Sequence, residues 1–179
     1  AYVDMVSCKT TTLFRAAYLM LASLATASSL RCPTKTWLDL IDCLGAFFQV
    51  RDDVANLVLY AKDKGICDDI AEGKYSYPVI LCVSKGDAIS CRLLEILQNK
   101  STRTQERSKR EALKCIIQSG ALESSLQELR RIRKDVLTYL GTRLVSVRKD
   151  LRDFIERFVD MQDIEIAAKR VVTSMMSEE

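Results

Sequence analysis

The sequence predicts an all-α fold, and three observations carry that expectation. Proline occurs only 2 times and glycine 6 times in 179 residues, so helix breakers are scarce. Apolar residues recur mainly at steps of three and four rather than two. The few breakers and polar runs cut the chain into segments of helix length. At 48% hydrophobic and 28% charged, residues 1–179 can bury one core as a single domain and do not suggest disorder.

Composition also excludes chemistry. There is no histidine, which removes a Ser-His-Asp triad, a Cys-His pair and any histidine-containing metal site from this chain. Seven scattered cysteines form no C-x-x-C; they read as reduced, mostly buried thiols of a cytoplasmic protein. A net charge of +3 does not by itself imply nucleic-acid binding. No signal peptide is visible. The most membrane-like stretch, Ala16 to Leu30, is shorter than the ~20 residues a bilayer crossing needs and carries Ser23, Thr26, Ser28 and Ser29, so a buried helix is expected there.

In chain order, Asp4 to Ser29 reads as one helix or a kinked pair, with a kink near Lys9-Thr10-Thr11-Thr12, where threonine hydroxyls compete for backbone groups. Ser29 to Lys35 is a connection, and Thr36 is the expected cap of a helix running to about Tyr60. That helix is apolar nearly all round, which implies burial on most sides. Ala61 to Lys74 is polar, with two glycines and alternating charge, and reads as a loop. Helices are expected over Val79 to Ser84 and Ala88 to Gln98. The basic run Asn99 to Arg110 lacks an aromatic residue for base stacking and reads as a surface loop rather than a nucleic-acid contact. Glu111 to Gln118 is helical, and Ser119-Gly120 breaks it. Leu126, Leu129, Ile132, Val136 and Leu140 then mark the inner face of a long helix from Leu122 to about Val147, a pattern shared by bundles and short coiled coils. Leu151 to Met161 follows, with Phe154, Ile155, Phe158 and Val159 inward, and Ile164 to Met176 closes the chain.

One stretch is electrostatically odd. In Gly45 to Leu57, Gln49, Asp53 and Asn56 share a helix face, and Asp52 lies one turn from Gln49 and Asn56. Neither aspartate has a lysine or arginine three or four residues away, so the carboxylates lack an intrahelical ion pair. A hard divalent cation would neutralise them, because Mg²⁺ takes one or two carboxylates and completes its shell with water and phosphate oxygens. Lys64 and Lys74, in the loop that follows, are placed to face ligand oxygens.

These residues also carry a resemblance. Phe48-Gln49-Val50-Arg51-Asp52-Asp53-Val54-Ala55-Asn56-Leu57, then Cys67-Asp68-Asp69, Glu72-Gly73-Lys74 and Tyr75-Ser76-Tyr77-Pro78, resembles the second aspartate-rich region of trans-isoprenyl diphosphate synthases. It is most similar to the animal and fungal type of geranylgeranyl diphosphate synthase, which reads F-F-Q-I-R-D-D-Y-A-N-L, C-[ED]-D and E-G-K-F-S-F-P. Lys9-Thr10-Thr11-Thr12-Leu13-Phe14 is similar to that family's K-T-G-G-L-F. The resemblance is sharp from about Met5 to Ile80.

The resemblance implies an isoprenoid-synthase-type helical bundle, represented by its C-terminal half, with Mg²⁺ as cofactor. It also implies head-to-tail condensation of an allylic diphosphate with isopentenyl diphosphate, in a homo-oligomer or in association with the rest of a synthase. Asp52 and Asp53 would bind Mg²⁺, with Asp52 the direct ligand. Lys9, Lys64 and Lys74 would contact diphosphate oxygens, Thr10 and Gln49 would present dipoles to the reacting carbons, and Phe48 would pack on the isopentenyl moiety. Two positions depart from the pattern: Asn56 stands at the third acidic position, and Thr11-Thr12 replaces the glycine pair. The family's earlier aspartate-rich motif and upstream basic cluster do not appear before Lys9, so little activity is expected of these 179 residues alone. A non-catalytic subunit, the prenyltransferase part of a bifunctional terpene synthase and a helical interaction module are the competing function classes.

Overall fold

A computed structural model describes residues 2, 10–25, 35–59, 67–145 and 147–177. Among them every regular element is helical: α1 (Thr12–Ala25), α2 (Lys35–Val58), α3 (Asp68–Glu72), α4 (Tyr77–Val83), α5 (Ala88–Gln98), α6 (Glu106–Gln118), α7 (Ala121–Thr142), α8 (Lys149–Phe158) and α9 (Gln162–Met176). The described residues of Ala1–Gln49 and Leu129–Asp160 make one compact unit, and those of Val50–Glu128 and Met161–Glu179 a second.

In the first unit, α1 approaches α2 so closely at Gly45 that a Cβ there would lie 2.9 Å from the Thr11 Cα. Glycine is required by space at that point, not by dihedral freedom. Arg15 pairs with Asp42 on the outside of this contact, and Tyr18 stacks on Trp37 with ring centroids 6.4 Å apart. Phe158 of α8 gathers the aromatic residues: Phe47, Phe48 and Phe154 lie at centroid distances of 6.4, 6.3 and 6.3 Å from it. Arg152 donates from Nη2 to the Leu140 carbonyl at 3.0 Å, supplying a cation to the last turns of α7.

The second unit holds an apolar core that includes Val54, Leu57, Ile70, Val79, Leu93, Leu113 and Ile116. Asp87 caps α5 by accepting the Ser90 N–H at 2.8 Å, while the Ser90 hydroxyl donates to the Cys82 carbonyl of α4 at 2.7 Å. Arg92 joins α5 to α6 through Glu111 at 2.7 Å. Arg51 joins the end of α2 to α9 through Asp163 at 2.6 Å.

Several sequence expectations meet this structure directly. α5 has the expected bounds, Gly120 breaks the chain with φ +73, and Leu126, Leu129, Ile132, Val136 and Leu140 are all buried. Five expectations need correction. Thr36 lies inside α2, which already begins at Lys35, so it is not the cap. The expected loop Ala61 to Lys74 contains α3, and the expected basic loop Asn99 to Arg110 is helical from Glu106 onward. There Lys109 is buried along its stem and keeps its ammonium near Glu106 at 3.5 Å. Phe154 is largely exposed, not inward. α1 is not a buried helix, because Leu13, Leu19, Met20, Leu21 and Leu24 are exposed. No described helix is long and apolar enough to cross a membrane. The connections expected at Ser29 to Lys35 and the kink at Lys9 fall largely outside the described residues.

Of the cysteines, Cys43, Cys67, Cys82, Cys91 and Cys115 are free thiols, and among these only Cys91 is exposed. Burial pushes the Cys67 thiol up to about 12. Cys8 and Cys32 lie outside the described residues.

Candidate functional site

The last turns of α2 organise the second unit's polar residues. Asp53 is only 5% exposed, and its Oδ2 accepts the backbone N–H of Tyr77 at 2.6 Å. Tyr77 opens α4, where N–H groups have no intrahelical acceptor, so a carboxylate from another element completes that helix end. Pro78, second in α4, lacks an N–H and needs no such partner. Asn56, one turn further along α2, does the same for α3: its Oδ1 accepts the Asp69 N–H at 3.1 Å. Two polar side chains that look anomalous in an apolar helix are thus the anchors of the two short helices that follow it.

Between those helices runs Glu72-Gly73-Lys74. Gly73 adopts φ +72, a left-handed conformation that ends α3. The Lys74 N–H then turns back to the Asp69 carbonyl at 2.8 Å. The Lys74 ammonium lies 3.1 Å from Asp69 Oδ1 and 2.6 Å from Glu72 Oε2, with the side chain 56% exposed. These two carboxylates, Glu72 first, raise the Lys74 pKa above the usual lysine range. Asp69 behaves differently. Burial is its largest influence and raises its pKa, the Lys74 bond works against that, and the negative charge of Asp53 adds to it. The pair is asymmetric because Asp69 is covered and Lys74 faces water.

Asp52, beside the buried Asp53, is exposed. The adjacent carboxylates therefore have separate environments: one is enclosed and holds a helix end, the other faces outward. In the first unit, Thr10 donates its hydroxyl to Gln49 Oε1 at 2.6 Å, which fixes the amide orientation. Phe48 is 42% exposed and lies nearly parallel to Phe158, with an interplanar angle of 15°. Lys9 and Lys64 lie outside the described residues.

Thr10 and Gln49 are thus brought together, while the ion pairs of Lys74 go to Asp69 and Glu72. Sequence reasoning had passed over Asp69, the Tyr77 N–H and Arg103, which donates to carbonyls of this turn at 2.9 Å. Asp69 sits in the quoted pattern and was available as a signal. Backbone groups and a distant arginine have none.

The donor chemistry suits a hard cation in a limited way. Among the described residues, no group of three or more His, Cys, Asp or Glu side chains converges as a metal site would require. Mg²⁺ needs only one or two carboxylates with water and phosphate oxygens, and Asp52 is an exposed carboxylate. Asp53 and Asn56 each have an oxygen engaged by backbone.

Comparison with known proteins supplies the family. Residues 1–116 match the family model described as polyprenyl synthetase. The chain is 35% identical over 143 residues to a geranylgeranyl pyrophosphate synthase of Dictyostelium discoideum, covering 78% of this chain and 44% of that protein. It is 38% identical over 143 residues to geranylgeranyl pyrophosphate synthase spyE of Aspergillus fumigatus, covering 75% of this chain and 38% of that protein. It is 31% identical over 142 residues to bifunctional terpene synthase FUP1 of Fusarium proliferatum, covering 75% of this chain and 19% of that protein. The chain thus spans less than half the length of each of these relatives. With the motif of α2, the all-helical architecture and a family match over residues 1–116, the chain belongs to the polyprenyl synthetase family.

Proposed function

We propose that this chain supplies the second magnesium and diphosphate motif of a prenyltransferase that joins isopentenyl diphosphate to an allylic diphosphate, in the manner of a geranylgeranyl diphosphate synthase. The observation that carries the reading is the division of labour at the end of α2. Asp53 is buried and anchors α4, which leaves the neighbouring, exposed Asp52 as the outward carboxylate of a D-D pair. Asp52 would hold Mg²⁺, and Asp53 would contribute charge while it holds the frame. Mg²⁺, when bound, neutralises the diphosphate and stabilises the charge that develops as it departs.

The chain's own groups supply the rest. Lys74, pre-aligned by Asp69 and Glu72, exchanges part of that pairing for diphosphate oxygens; Lys9 and Lys64 serve the same ligand by resemblance. The Thr10 hydroxyl holds the Gln49 amide in one orientation, so its dipole is fixed when the reacting carbons arrive. Phe48, backed by Phe158, offers an aromatic face to the isopentenyl moiety. The protein works in the cytoplasm as an oligomer. The likeness to FUP1 supports a second reading, in which this region is the prenyltransferase part of a bifunctional terpene synthase.

The test is Asp52→Ala in the full-length protein, assayed with isopentenyl diphosphate, an allylic diphosphate and Mg²⁺. The expected result is a fall in kcat of about 10²- to 10³-fold, the scale of losing one stabilising charge contact. Unchanged prenyl transfer would mean a non-catalytic subunit and would overturn the proposal.

A further inference from the structure

Arg103 belongs to no motif and sits in the turn between α5 and α6, within the basic run that reads as a solvated loop. Its guanidinium donates from Nε to the Ala71 carbonyl, from Nη2 to the Glu72 carbonyl and from Nη1 to the Leu97 carbonyl, each at 2.9 Å. Ala71 and Glu72 end α3 and Leu97 lies in the last turn of α5, so all three acceptors are carbonyls that helix ends leave without intrahelical donors. A cation there also meets the negative ends of the peptide dipoles. Lysine carries the same charge but not the planar fork that reaches three oxygens at once.

The grip is tight at one point. A Cβ added to Gly73 would stand 2.3 Å from Arg103 Nη1 and 2.7 Å from its Cζ. The guanidinium therefore occupies the space a side chain would fill, and the Glu72-Gly73-Lys74 turn is held by Arg103 as well as by the Asn56 bond to Asp69. Immediately after Gly73 comes Lys74, whose backbone and ammonium are both tied to Asp69.

We infer that Arg103 is the positioning residue for Lys74: by clasping the Ala71, Glu72 and Leu97 carbonyls it fixes the Glu72-Gly73-Lys74 turn, and so the point at which the Lys74 ammonium meets diphosphate oxygens. This inference rests on the diphosphate role of Lys74 given above. It adds a residue that does not touch substrate but sets the geometry of one that does.

The experiment compares Arg103→Ala, Arg103→Lys, Lys74→Ala and the Arg103→Ala/Lys74→Ala double variant in the full-length protein. Two readouts are taken: kcat and KM for each diphosphate, and the rate at which acetic anhydride labels Lys74, measured by mass spectrometry against the exposed Lys149. Arg103→Ala is expected to lower kcat/KM for the allylic diphosphate about 10²-fold, the scale of an ångström of misplacement. Labelling of Lys74 rises severalfold, added guanidinium restores part of the activity, and the double variant is no worse than Lys74→Ala alone. If Arg103→Ala does not fold, Arg103→Lys carries the same comparison. An equal loss on the wild-type and Lys74→Ala backgrounds, or unchanged labelling of Lys74, overturns the inference. Normal kinetics for Lys74→Ala instead overturns the diphosphate role of Lys74, while the labelling still decides whether Arg103 positions it.

Discussion

α1 and α5 are both apolar-rich helices, yet their side chains have opposite fates. In α5, Leu93, Ile96 and Leu97 are 5% exposed or less, enclosed in the core of the second unit. In α1, Leu13, Leu19, Met20, Leu21 and Leu24 are between 44% and 79% exposed, and no described residue covers them. The difference teaches that apolar content fixes the type of an element but not its coverage. Periodicity reports which residues prefer to leave water, and only the rest of the fold decides which of them do.

The largest expected effect tests that contrast directly. Leu93→Ala removes a fully enclosed side chain and is expected to cost about 2–5 kcal/mol of unfolding free energy. Leu24→Ala, at the exposed end of α1, is expected to stay within about 0.5 kcal/mol. Urea unfolding of the two variants measures both. Similar losses would show that α1 is covered in solution and would break the comparison.

The same contrast divides Asp52 from Asp53 and gives a smaller effect. Asp53→Ala deprives the Tyr77 N–H of its acceptor in a partly buried place, an expected loss of about 1–3 kcal/mol. Asp52→Asn, on the exposed side, is expected to leave the unfolding midpoint unchanged while it impairs activity. A stability loss at Asp52 equal to that at Asp53 would erase the division of labour between them.

Much of this was legible in the sequence. The helices α2, α4, α5, α7 and α9 follow from periodicity and breakers, and the motif around Asp52 follows from residue types at fixed spacing. What was not legible has a common physical cause. α3 is only five residues long, too short for periodicity, and exists because Asn56 accepts a backbone N–H at its start. Arg103 acts on backbone carbonyls more than thirty residues away in two of its three bonds, and neither end of those bonds carries a side-chain pattern. The partner expected for Asp53 was a cation; nothing in the sequence marked the helix N–H that one of its oxygens also accepts. Side-chain chemistry is written in the sequence, whereas the backbone groups that helix ends leave over appear only once the chain is folded.

The smallest effect concerns Asp69, where burial and ion pairing oppose each other in one residue. Burial raises its pKa above the ordinary 3.8 and outweighs the Lys74 bond. A carboxyl with a raised folded pKa holds its proton more tightly in the folded chain. Its contribution to stability is therefore fully present below 3.8 and is lost as pH rises through the folded value. Glu72 has the opposite sign: Lys74 lowers its pKa from 4.5, so its contribution is present above that value and lost as pH falls. Glu72 is exposed, where screening weakens the pair, and it titrates in wild type and Asp69→Asn alike, so their difference reads Asp69. Replacing Asp69 with Asn removes the titration while keeping a hydrogen-bonding side chain. The expected outcome is that wild-type stability, measured as the urea midpoint relative to Asp69→Asn, declines as pH rises from 3.8. A relative gain over the same interval would mean that the exposed ammonium of Lys74 governs this residue more strongly than its enclosure does.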